Sequence, residues 1–243
     1  MVIESSDNKY FKLCKSLLTS KGIKKNNLCI ISGRKIVPEF INNQAVSFAV
    51  AAEKNLSELP QNNNIETKIF KDSLFSELDS CGTAFPFLVY KTPAIIDYDF
   101  SSEPEGLEVI TGLGDPSNQG ALIRSCEAFA VSKIILLKNS CHPFLPKTIK
   151  SSSGSSLRTK LFAGPFINKI PSNSFYSLDK NGKSLSDFNW PKNLRLLMGE
   201  EGPGFPEDIT PIDSLSITME PGPESLNATI ATSIALNSYY QSK

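Results

Sequence analysis

The sequence predicts an α/β protein in two parts, with a parallel sheet in the second part and a smaller α/β domain before it. From residue 106 onward, apolar runs of strand length alternate with segments of helical period, an order typical of a parallel sheet covered on both faces. The stretch "DFSSEPEG" (99–106) is polar, acidic and rich in turn-forming residues, as linkers are. We therefore expect one domain at residues 1–98 and another at 106–243.

The first part opens with a helix, because Tyr10, Leu13 and Leu17 recur at helical spacing in "NKYFKLCKSLL". The apolar run "NLCIISG" predicts a strand, and a second helix is expected from about Lys35. The runs "AVSFAVAA" and "FPFLVYKTPAII" are rich in residues that favour strands, so they predict further strands of the same small domain.

In the second part, "LEVITGL", "SKIILL", "LRLLMG" and "SLSITM" predict strands, while "NQGALIRSCEAFAV" and the stretch after Ser225 predict helices. Asn118 and Ser225 stand at the two expected helix starts, where their side chains would act as N-caps. Three loops that leave carboxyl ends of strands are unusual: "GLGDPSNQG", "GEEGPGFP" and "EPGPESLN". Ligands of parallel sheets collect at these ends, so the loops mark the expected functional site.

The charges are balanced overall but unevenly distributed. The 243 residues carry 25 basic and 25 acidic groups, which by itself argues against a nucleic-acid binder. Residues 1–41, however, hold eight basic and three acidic groups, and residues 128–178 hold seven basic groups and no acid. Such blocks form phosphate-attracting faces on neutral proteins.

Several classes of protein are disfavoured by composition. No apolar run approaches the roughly 18 residues that span a bilayer, and the first residues lack a signal-like pattern, so we expect a cytoplasmic protein without a membrane partner. The five cysteines form no C-x-x-C pair, and no acid or histidine cluster has ligand spacing, so neither a disulfide framework nor a metal site is expected. His142, the one histidine, is interpreted as a surface loop residue rather than a catalytic base.

The first loop also permits a dinucleotide-binding interpretation. Gly112 and Gly114 follow a strand, as in the fingerprint G-x-G-x-x-G. The third glycine position is Ser117, and Pro116 stiffens the turn that has to approach a pyrophosphate. A nicotinamide or flavin enzyme is thus disfavoured, but it stays as one alternative.

Taken together, "DPSNQGALIRSCEAF", "LLMGEEGPGF" and "ITMEPGPESLNATIATSIAL" resemble, in order and separation, the three motifs of the SpoU/TrmH family of RNA 2′-O-ribose methyltransferases within the SPOUT superfamily. The stretch "NKYFKLCKSLLTSKG" followed by "SGRKIVPEFI" is similar to their substrate-binding domain, related to the L30e/L7Ae fold. The resemblance implies a SPOUT-type parallel sheet with a deep trefoil knot, preceded by an L30e-like RNA-binding domain, and a homodimer.

The resemblance also implies S-adenosylmethionine as cofactor and assigns residues to roles. Family positions with catalytic roles match Asn118, Arg124, Glu201, Ser225 and Asn227. Cofactor-binding positions fall on Leu197, Met198, Gly199, Glu200, Gly202, Gly204, Ile217, Met219, Ser225 and Leu226. Basic residues that we expect to meet RNA are Lys9, Lys12, Arg34, Lys35, Lys150 and Arg158.

Methyl transfer to a ribose hydroxyl has an excellent leaving group, so positioning supplies much of the rate. The family proposal makes the arginine the base, but a guanidinium is effectively always protonated. We therefore expect Arg124 to hold a substrate phosphate and stabilise the developing alkoxide, with proton removal by Arg124 or an adjacent phosphate left open. Ribosomal RNA is the preferred substrate. The alternatives are transfer RNA, or an inactive RNA-binding module, against which the presence of all five matched residues argues.

Overall fold

A computed structural model of the chain describes residues 1–61, 64–198, 209–220 and 225–243. Within these ranges the strands are β1 (Val2–Ile3), β2 (Leu28–Ile31), β3 (Val46–Ala52), β4 (Thr67–Phe70), β5 (Phe87–Lys91), β6 (Ile96–Asp97), β7 (Leu107–Thr111), β8 (Lys133–Leu136), β9 (Leu161–Ala163), β10 (Tyr176–Ser184), β11 (Leu194–Leu197) and β12 (Ser214–Ser216). The α-helices are α1 (Lys9–Ser16), α2 (Ser20–Asn26), α3 (Ile36–Phe40), α4 (Asp72–Leu78), α5 (Pro116–Ala128), α6 (Pro146–Ser151) and α7 (Ala228–Gln241). None of the helices in the described ranges is long and apolar enough to cross a membrane.

The chain forms two compact units. The first unit joins Met1–Pro93 to His142–Leu157, and the second joins Ala94–Cys141 to Arg158–Lys243. This grouping differs from the predicted division at 1–98 and 106–243 in two places. Residues 94–98 belong to the second unit, because β6 pairs with β9 and not with the first sheet, and the segment His142–Leu157 belongs to the first unit. The segment belongs to the first unit because α6 packs against β2, and because Lys150 Nζ donates a hydrogen bond to the carbonyl of Cys81 at 2.8 Å.

The first unit contains a mixed five-stranded sheet in the order β1-β4-β3-β5-β2. Strands β1, β4 and β3 are parallel, whereas β5 is antiparallel to both of its neighbours. Helix α1 contributes Phe11 and Cys14 to the core, and its C-cap residue contributes Leu17; the core also contains Phe70 and Phe87. The predicted first helix is thus present, and its apolar stripe is what attaches it to the sheet.

The second unit contains a seven-stranded sheet in the order β12-β10-β11-β7-β8-β9-β6. Every pair of neighbouring strands in it is parallel. Ile110, Ile135 and Leu197 form part of its buried core. The predicted α/β class with a parallel sheet is confirmed, and the four strands expected in this part are present as β7, β8, β11 and β12.

Strand β10 was not predicted, because its sequence "YSLDKNGKS" is polar and largely exposed. The strand runs beside β12 at close range. A Cβ atom on Gly182 would lie 2.4 Å from the backbone oxygen of Ser214, so only glycine permits this approach.

The described cysteines of the core are small buried residues. Cys14, Cys29 and Cys126 are each fully enclosed. Burial raises the pKa of the Cys14 thiol to about 12 and raises the pKa values of Cys29 and Cys126 as well, so all three thiols are protonated at neutral pH.

Candidate active site

Helix α5 begins at the carboxyl end of β7, where the first motif lies. Asp115 is its N-cap, and the Oδ1 atom of Asp115 accepts hydrogen bonds from the backbone nitrogens of Ser117 and Asn118 at 2.8 and 2.9 Å. The prediction that Asn118 caps this helix is therefore wrong. The aspartate is followed by Pro116, which is pre-organised for the first helical position, so the helix begins earlier than the apolar pattern indicates.

Helix α7 begins two residues later than predicted. Its N-cap is Asn227, whose Oδ1 atom accepts from the backbone nitrogens of Thr229 and Ile230 at 3.0 and 3.3 Å. The prediction that Ser225 is the cap is wrong, because asparagine caps a helix as well as serine and lies nearer the first residue with helical dihedral angles. Ser225 is exposed and precedes the helix.

The two helices pack against each other at these ends. Thr229 Oγ1 on α7 donates to the backbone oxygen of Asn118 on α5 at 3.3 Å. About two turns farther along α5 and one turn farther along α7, the hydroxyls of Ser125 and Ser233 are hydrogen-bonded at 2.8 Å. The structure thus brings the asparagine of the first motif and the helix start of the third motif to one place beside the sheet.

Arg124 lies on the exposed side of α5, between Ile123 and Cys126, which face the core. In the described part of the chain, its guanidinium makes no ion pair and no side-chain hydrogen bond. Arg124 is nearer the end of α5 than its start. An exposed arginine without a protein partner is available to bind a phosphate or another anion. This placement confirms the predicted exposed position of Arg124 on the helix, and its role toward a substrate stays a prediction.

The second motif is only partly described. Glu201, Gly199, Glu200, Gly202 and Gly204 lie outside the described residues. Of the expected apolar walls, Leu197 and Met198 are buried, and Leu197 belongs to the core rather than to an open surface. Ile217 and Leu226 are partly buried, while Met219 is 37% exposed.

The family described as SpoU rRNA Methylase matches residues 108–237, more than half of the chain and all three motifs. The chain belongs to the SpoU rRNA Methylase family. A relative from Syntrophobacter fumaroxidans, "Ribosomal RNA small subunit methyltransferase G 2", is 34% identical over 99% of this chain. The chain spans only 49% of that relative's length, about half, so the relative's name does not identify the substrate of this SpoU-family chain.

Two further comparisons extend over nearly the whole SpoU-family chain. The Bacillus subtilis 23S rRNA (guanosine(2553)-2'-O)-methyltransferase RlmP is 22% identical over 96% of this chain and 96% of its own. The crystal structure of the SpoU methyltransferase AviRb from Streptomyces viridochromogenes, solved with AdoMet, has a TM-score of 0.79 at 19% identity and covers 96% of this chain and 97% of AviRb. This likeness shows a shared fold.

The six basic residues expected to meet RNA have different surroundings. Four have polar protein partners: Lys12 with Asp7, Arg34 with Glu58, Arg158 with Glu127, and Lys150 with the carbonyl of Cys81. Lys9 lies 5.1 Å from the ring centre of Tyr10. Lys35 is exposed and makes no ion pair in the described ranges. The six residues therefore do not form one free cationic cluster.

A more compact set of cations was missed. Lys21, Lys24 and Lys25 lie on the short helix α2, and all three are exposed without an ion-pair partner among the described residues. Their signal was present in the sequence, in "SKGIKKN", which holds three lysines and no acid. The first unit as a whole carries 14 basic and 9 acidic side chains, and the second carries 11 and 16. The balanced total therefore conceals a cationic unit and an anionic unit.

His142 is not the surface residue that was expected. The imidazole is partly buried, its ring centre lies 5.6 Å from that of Phe144, and its Nδ1 atom accepts from the backbone nitrogen of Phe144 at 3.3 Å. Burial and the positive charge of Lys24 lower the pKa of His142 to about 4. The residue is consequently neutral at pH 7, and its packing role explains its position in the loop.

A buried ionic network at the opposite end of the parallel sheet was also missed. Glu108 is fully buried on β7, directly opposite Arg195 of β11 and Lys133 of β8. Its carboxylate lies 3.3 Å from Arg195 Nε and 2.9 Å from Lys133 Nζ, and accepts a hydrogen bond from the hydroxyl of Tyr98. Burial, followed by this hydrogen bond, raises the pKa of Tyr98. The network forms because the strand register places Arg195 and Lys133 beside Glu108, one on each neighbouring strand.

Proposed function

We propose that the chain is an S-adenosylmethionine-dependent methyltransferase that modifies a ribose 2′-hydroxyl in structured RNA, with ribosomal RNA as substrate. One observation carries the proposal: Asn118 and the helix start at Asn227 lie together at the carboxyl end of the parallel sheet, and the same helix α5 presents the unpaired cation Arg124. The name of the Bacillus subtilis relative, which specifies ribosomal RNA and 2′-O-methylation, supports the same activity.

The residues present fit the proposed cofactor. S-adenosylmethionine needs apolar contacts for its base and for the carbons around its sulfonium, together with a few polar groups. Ile217, Leu226 and the partly exposed Met219 supply apolar surface. The buried amide of Gln119, beside Asn118, is a polar group without a hydrogen-bond partner in the described structure. Gly199, Glu200, Gly202 and Gly204 belong to the proposed cofactor-binding set by their positions in the second motif.

The proposed chemistry is an in-line displacement. When bound, S-adenosylmethionine supplies a methyl group on a sulfonium. The 2′-oxygen forms a bond to the methyl carbon as the carbon–sulfur bond breaks, and the hydroxyl proton leaves the oxygen. Arg124 stays protonated, so its role is to hold a neighbouring phosphate and to stabilise negative charge on the 2′-oxygen. Asn118, Glu201 and Ser225 position Arg124 and the loops, and Asn227 acts by fixing the start of α7.

We assign RNA docking to the first unit. The excess of basic over acidic side chains in this unit suits a phosphate backbone, whereas the second unit is acidic. The unpaired lysines of α2, Lys21, Lys24 and Lys25, are the strongest local contribution, with Lys9 and Lys35 as further contacts. An L30e-like fold for this unit is part of the proposal, supported by the motif resemblance and by its mixed sheet.

We further propose a deep trefoil knot in the second unit, a homodimer, and a cytoplasmic location. The knot rests on membership of the SpoU family and on the resemblance of the second and third motifs. The dimer is supported by α7, whose Ile230 and Ile234 are 54% and 40% exposed one turn apart. Replacing Ile234 with lysine is expected to convert a dimer into a monomer in light-scattering measurements, whereas a wild-type monomer contradicts the dimer.

The proposal is tested by mapping ribose methylation in RNA from cells with and without the gene, using mass spectrometry of nuclease fragments. We expect one 2′-O-methylated nucleotide of ribosomal RNA to lose its methyl group in the deletion strain and to regain it on complementation. Loss of a transfer-RNA site instead supports the alternative substrate. An unchanged map, with purified protein that binds RNA but transfers no methyl group, identifies an inactive RNA-binding module.

A further inference from the structure

Residues 98–105, most of which were predicted to form a linker, are fixed to the parallel sheet of the second unit at both ends. The backbone nitrogen of Tyr98 donates a hydrogen bond to the carbonyl of Ala163, the last residue of β9, at 2.8 Å. At the other end, the backbone nitrogen of Glu105 donates to the carboxylate of Glu108 at 3.1 Å. We call this segment the strap.

The strap packs on one face of the sheet. The strand register places Ile110 beside Leu197 on one side and beside Ile135 on the other, so these three side chains share a face. They belong to a buried core, and the rings of Tyr98 and Phe100 pack against that core. The strap therefore contributes to covering a sheet face, a role that helices commonly have in parallel sheets.

A buried arginine attaches the strap to β11. The guanidinium of Arg195 on this strand donates from Nε to the hydroxyl of Tyr98 at 2.8 Å and from Nη2 to the carbonyl of Ser102. The Cζ atom of Arg195 also lies 5.6 Å from the ring centre of Phe100, and the ring centres of Tyr98 and Phe100 are 4.8 Å apart. Because Arg195 is only 5% exposed, these contacts fix the strap and the strand to each other.

The core under the strap contains the residues on either side of 199–208. Leu197 precedes this stretch and Ile209 follows it, and both belong to the core against which Tyr98 and Phe100 pack. The stretch itself holds four of the positions assigned to cofactor binding by the second motif. The strap thus supports the two points where the chain enters and leaves these positions.

We propose that the strap positions the cofactor-binding stretch: the ring of Phe100, together with that of Tyr98, sets the positions of Leu197 and Ile209. This inference rests on the proposed function. Phe100 and Tyr98 are positioning residues, because they act on the cofactor site through the core. Close-packed interiors transmit small displacements, so loss of one ring is expected to move its neighbours. A strap that only stabilises the fold predicts lower stability with unchanged cofactor affinity.

The test replaces Phe100 with alanine, and measurements are made well below the melting temperature. Calorimetry is expected to show that the affinity for S-adenosylhomocysteine falls about tenfold. In methyl-transfer assays KM for S-adenosylmethionine is expected to rise by a similar factor, with kcat close to wild type because Arg124 is unchanged. Phe100→Leu keeps an apolar contact with the core, so its affinity is expected to be close to wild type.

Phe188→Ala is the matched control. Phe188 also belongs to the second unit, is partly buried like Phe100, and packs against other aromatic rings, with ring-centre distances of 5.5 Å to Tyr176 and 5.0 Å to Trp190. The two alanine variants lose the same atoms, so both are expected to have a lower melting temperature. Only Phe100→Ala is expected to bind S-adenosylhomocysteine more weakly.

A measurement on the unsubstituted protein covers the case in which Phe100→Ala does not fold. Coupling between two sites is reciprocal, so a packed strap that favours the cofactor is itself favoured when the cofactor product binds. Hydrogen exchange, followed by mass spectrometry, is therefore expected to slow in the peptide that contains the strap when S-adenosylhomocysteine is added. The peptide that contains α4 of the first unit is the reference and is expected to exchange at an unchanged rate.

Four results would overturn the inference. The first is a folded Phe100→Ala variant that binds S-adenosylhomocysteine as wild type does, and the second is an equal loss of affinity in Phe188→Ala. The third is a lower kcat with unchanged KM, which assigns the strap to the chemical step. The fourth is unchanged exchange of the strap in protein saturated with S-adenosylhomocysteine. A wild-type protein that does not bind this compound contradicts the proposed function as well, and is thereby distinguished from these four.

Discussion

The two ends of the parallel sheet in the second unit differ in whether their buried polar side chains have hydrogen-bond or ion-pair partners. At the amino end, the buried carboxylate of Glu108 is matched by Arg195, Lys133 and the hydroxyl of Tyr98. At the carboxyl end, the amide of Gln119 in the first turn of α5 has no partner within the described ranges. Strands β7, β8 and β11 contribute to the amino-end network, and β7 leads directly into the other end.

The difference indicates that the amino end of the sheet contributes to stability, whereas the carboxyl end contributes to function. A satisfied buried network holds strands in register and is costly to break, whereas unsatisfied groups lower stability unless a ligand completes them. The carboxyl end therefore has the properties of a site that is completed by cofactor and substrate. Substitutions at the two ends are accordingly expected to affect different measurements.

The largest effect on activity is expected for Arg124→Ala. Loss of a cation that stabilises developing negative charge typically lowers the rate by about 10²–10³-fold, while an exposed arginine contributes little to folding. Methyl transfer is expected to fall by about that factor, with the melting temperature and cofactor affinity close to wild type. The control is Lys169→Ala, since Lys169 is an exposed cation of the same unit for which no role in the site is proposed. Equal rates for both variants would contradict the role of Arg124.

The largest effect on stability is expected at the amino end, for Glu108→Ala. Removal of Glu108 leaves the buried Arg195 without its carboxylate partner, while Lys133 keeps only the exposed carboxylate of Glu105, and breaking a buried pair in this way costs about 3–5 kcal/mol. Urea unfolding measures the loss. Glu127→Ala breaks the exposed pair with Arg158 and is expected to cost about 1 kcal/mol or less. A Glu108 variant that is no less stable than the Glu127 variant would show that the network does not stabilise the sheet.

A smaller effect is expected on RNA binding when Lys21, Lys24 and Lys25 are all replaced with alanine. Each phosphate contact contributes about 0.7–0.9 to the slope of log affinity against log salt, so the slope is expected to decrease by about 2 to 3. The matched control replaces three exposed lysines of the second unit, Lys160, Lys169 and Lys180. If the control variant alone alters the slope, RNA docks on the other unit.

Asn227→Ala is expected to destabilise the protein by about 1 kcal/mol, because two backbone nitrogens at the start of α7 lose their acceptor. Asn237→Ala is the control, since Asn237 is exposed within the same helix and alanine favours helical structure there. Chemical denaturation compares the two variants. Equal stabilities would show that the cap contributes nothing.

The smallest effect concerns pH and the first unit. The pKa of His142 is lowered from 6.5 to about 4 in the folded protein, so the unfolded chain binds more protons between these values. The free energy of unfolding is therefore expected to decrease as the pH falls through this window, and to be independent of His142 above pH 7. In His142→Gln the pH dependence between 4 and 6.5 is expected to be shallower. An unchanged slope would show that His142 is not responsible.

The helices and strands that form because of a local pattern of apolar residues were predictable from the sequence. Helix α5 and strands β7, β8, β11 and β12 follow from apolar runs of helical or strand period. The two N-caps were misplaced by two or three residues, because Asp115 and Asn227 compete with Asn118 and Ser225 and local patterns do not rank such candidates. Polar β10 was missed because its pairing depends on the close approach at Gly182.

The candidate site was predictable in its residues but not in its arrangement. Motif spacing identified Asn118, Arg124 and Asn227, whereas the contact between Thr229 and Asn118 depends on how α5 and α7 pack. Gln119 was overlooked because a glutamine near a helix start normally faces water. The apolar stripe that contains Ile123 and Cys126, when extended toward the helix start, includes position 119. This extension would have predicted that the side chain of Gln119 is buried.

The central claim is that the site at the carboxyl end of the parallel sheet catalyses methyl transfer to a ribose hydroxyl. Its most direct test is nucleoside mass spectrometry of ribosomal RNA, lacking the modification, after incubation with purified protein and methyl-labelled S-adenosylmethionine. The expected product is a labelled 2′-O-methylnucleoside that forms with wild type and is nearly absent with Arg124→Ala. A label found on a base, or a ribose label that forms equally well with Arg124→Ala, would contradict the account.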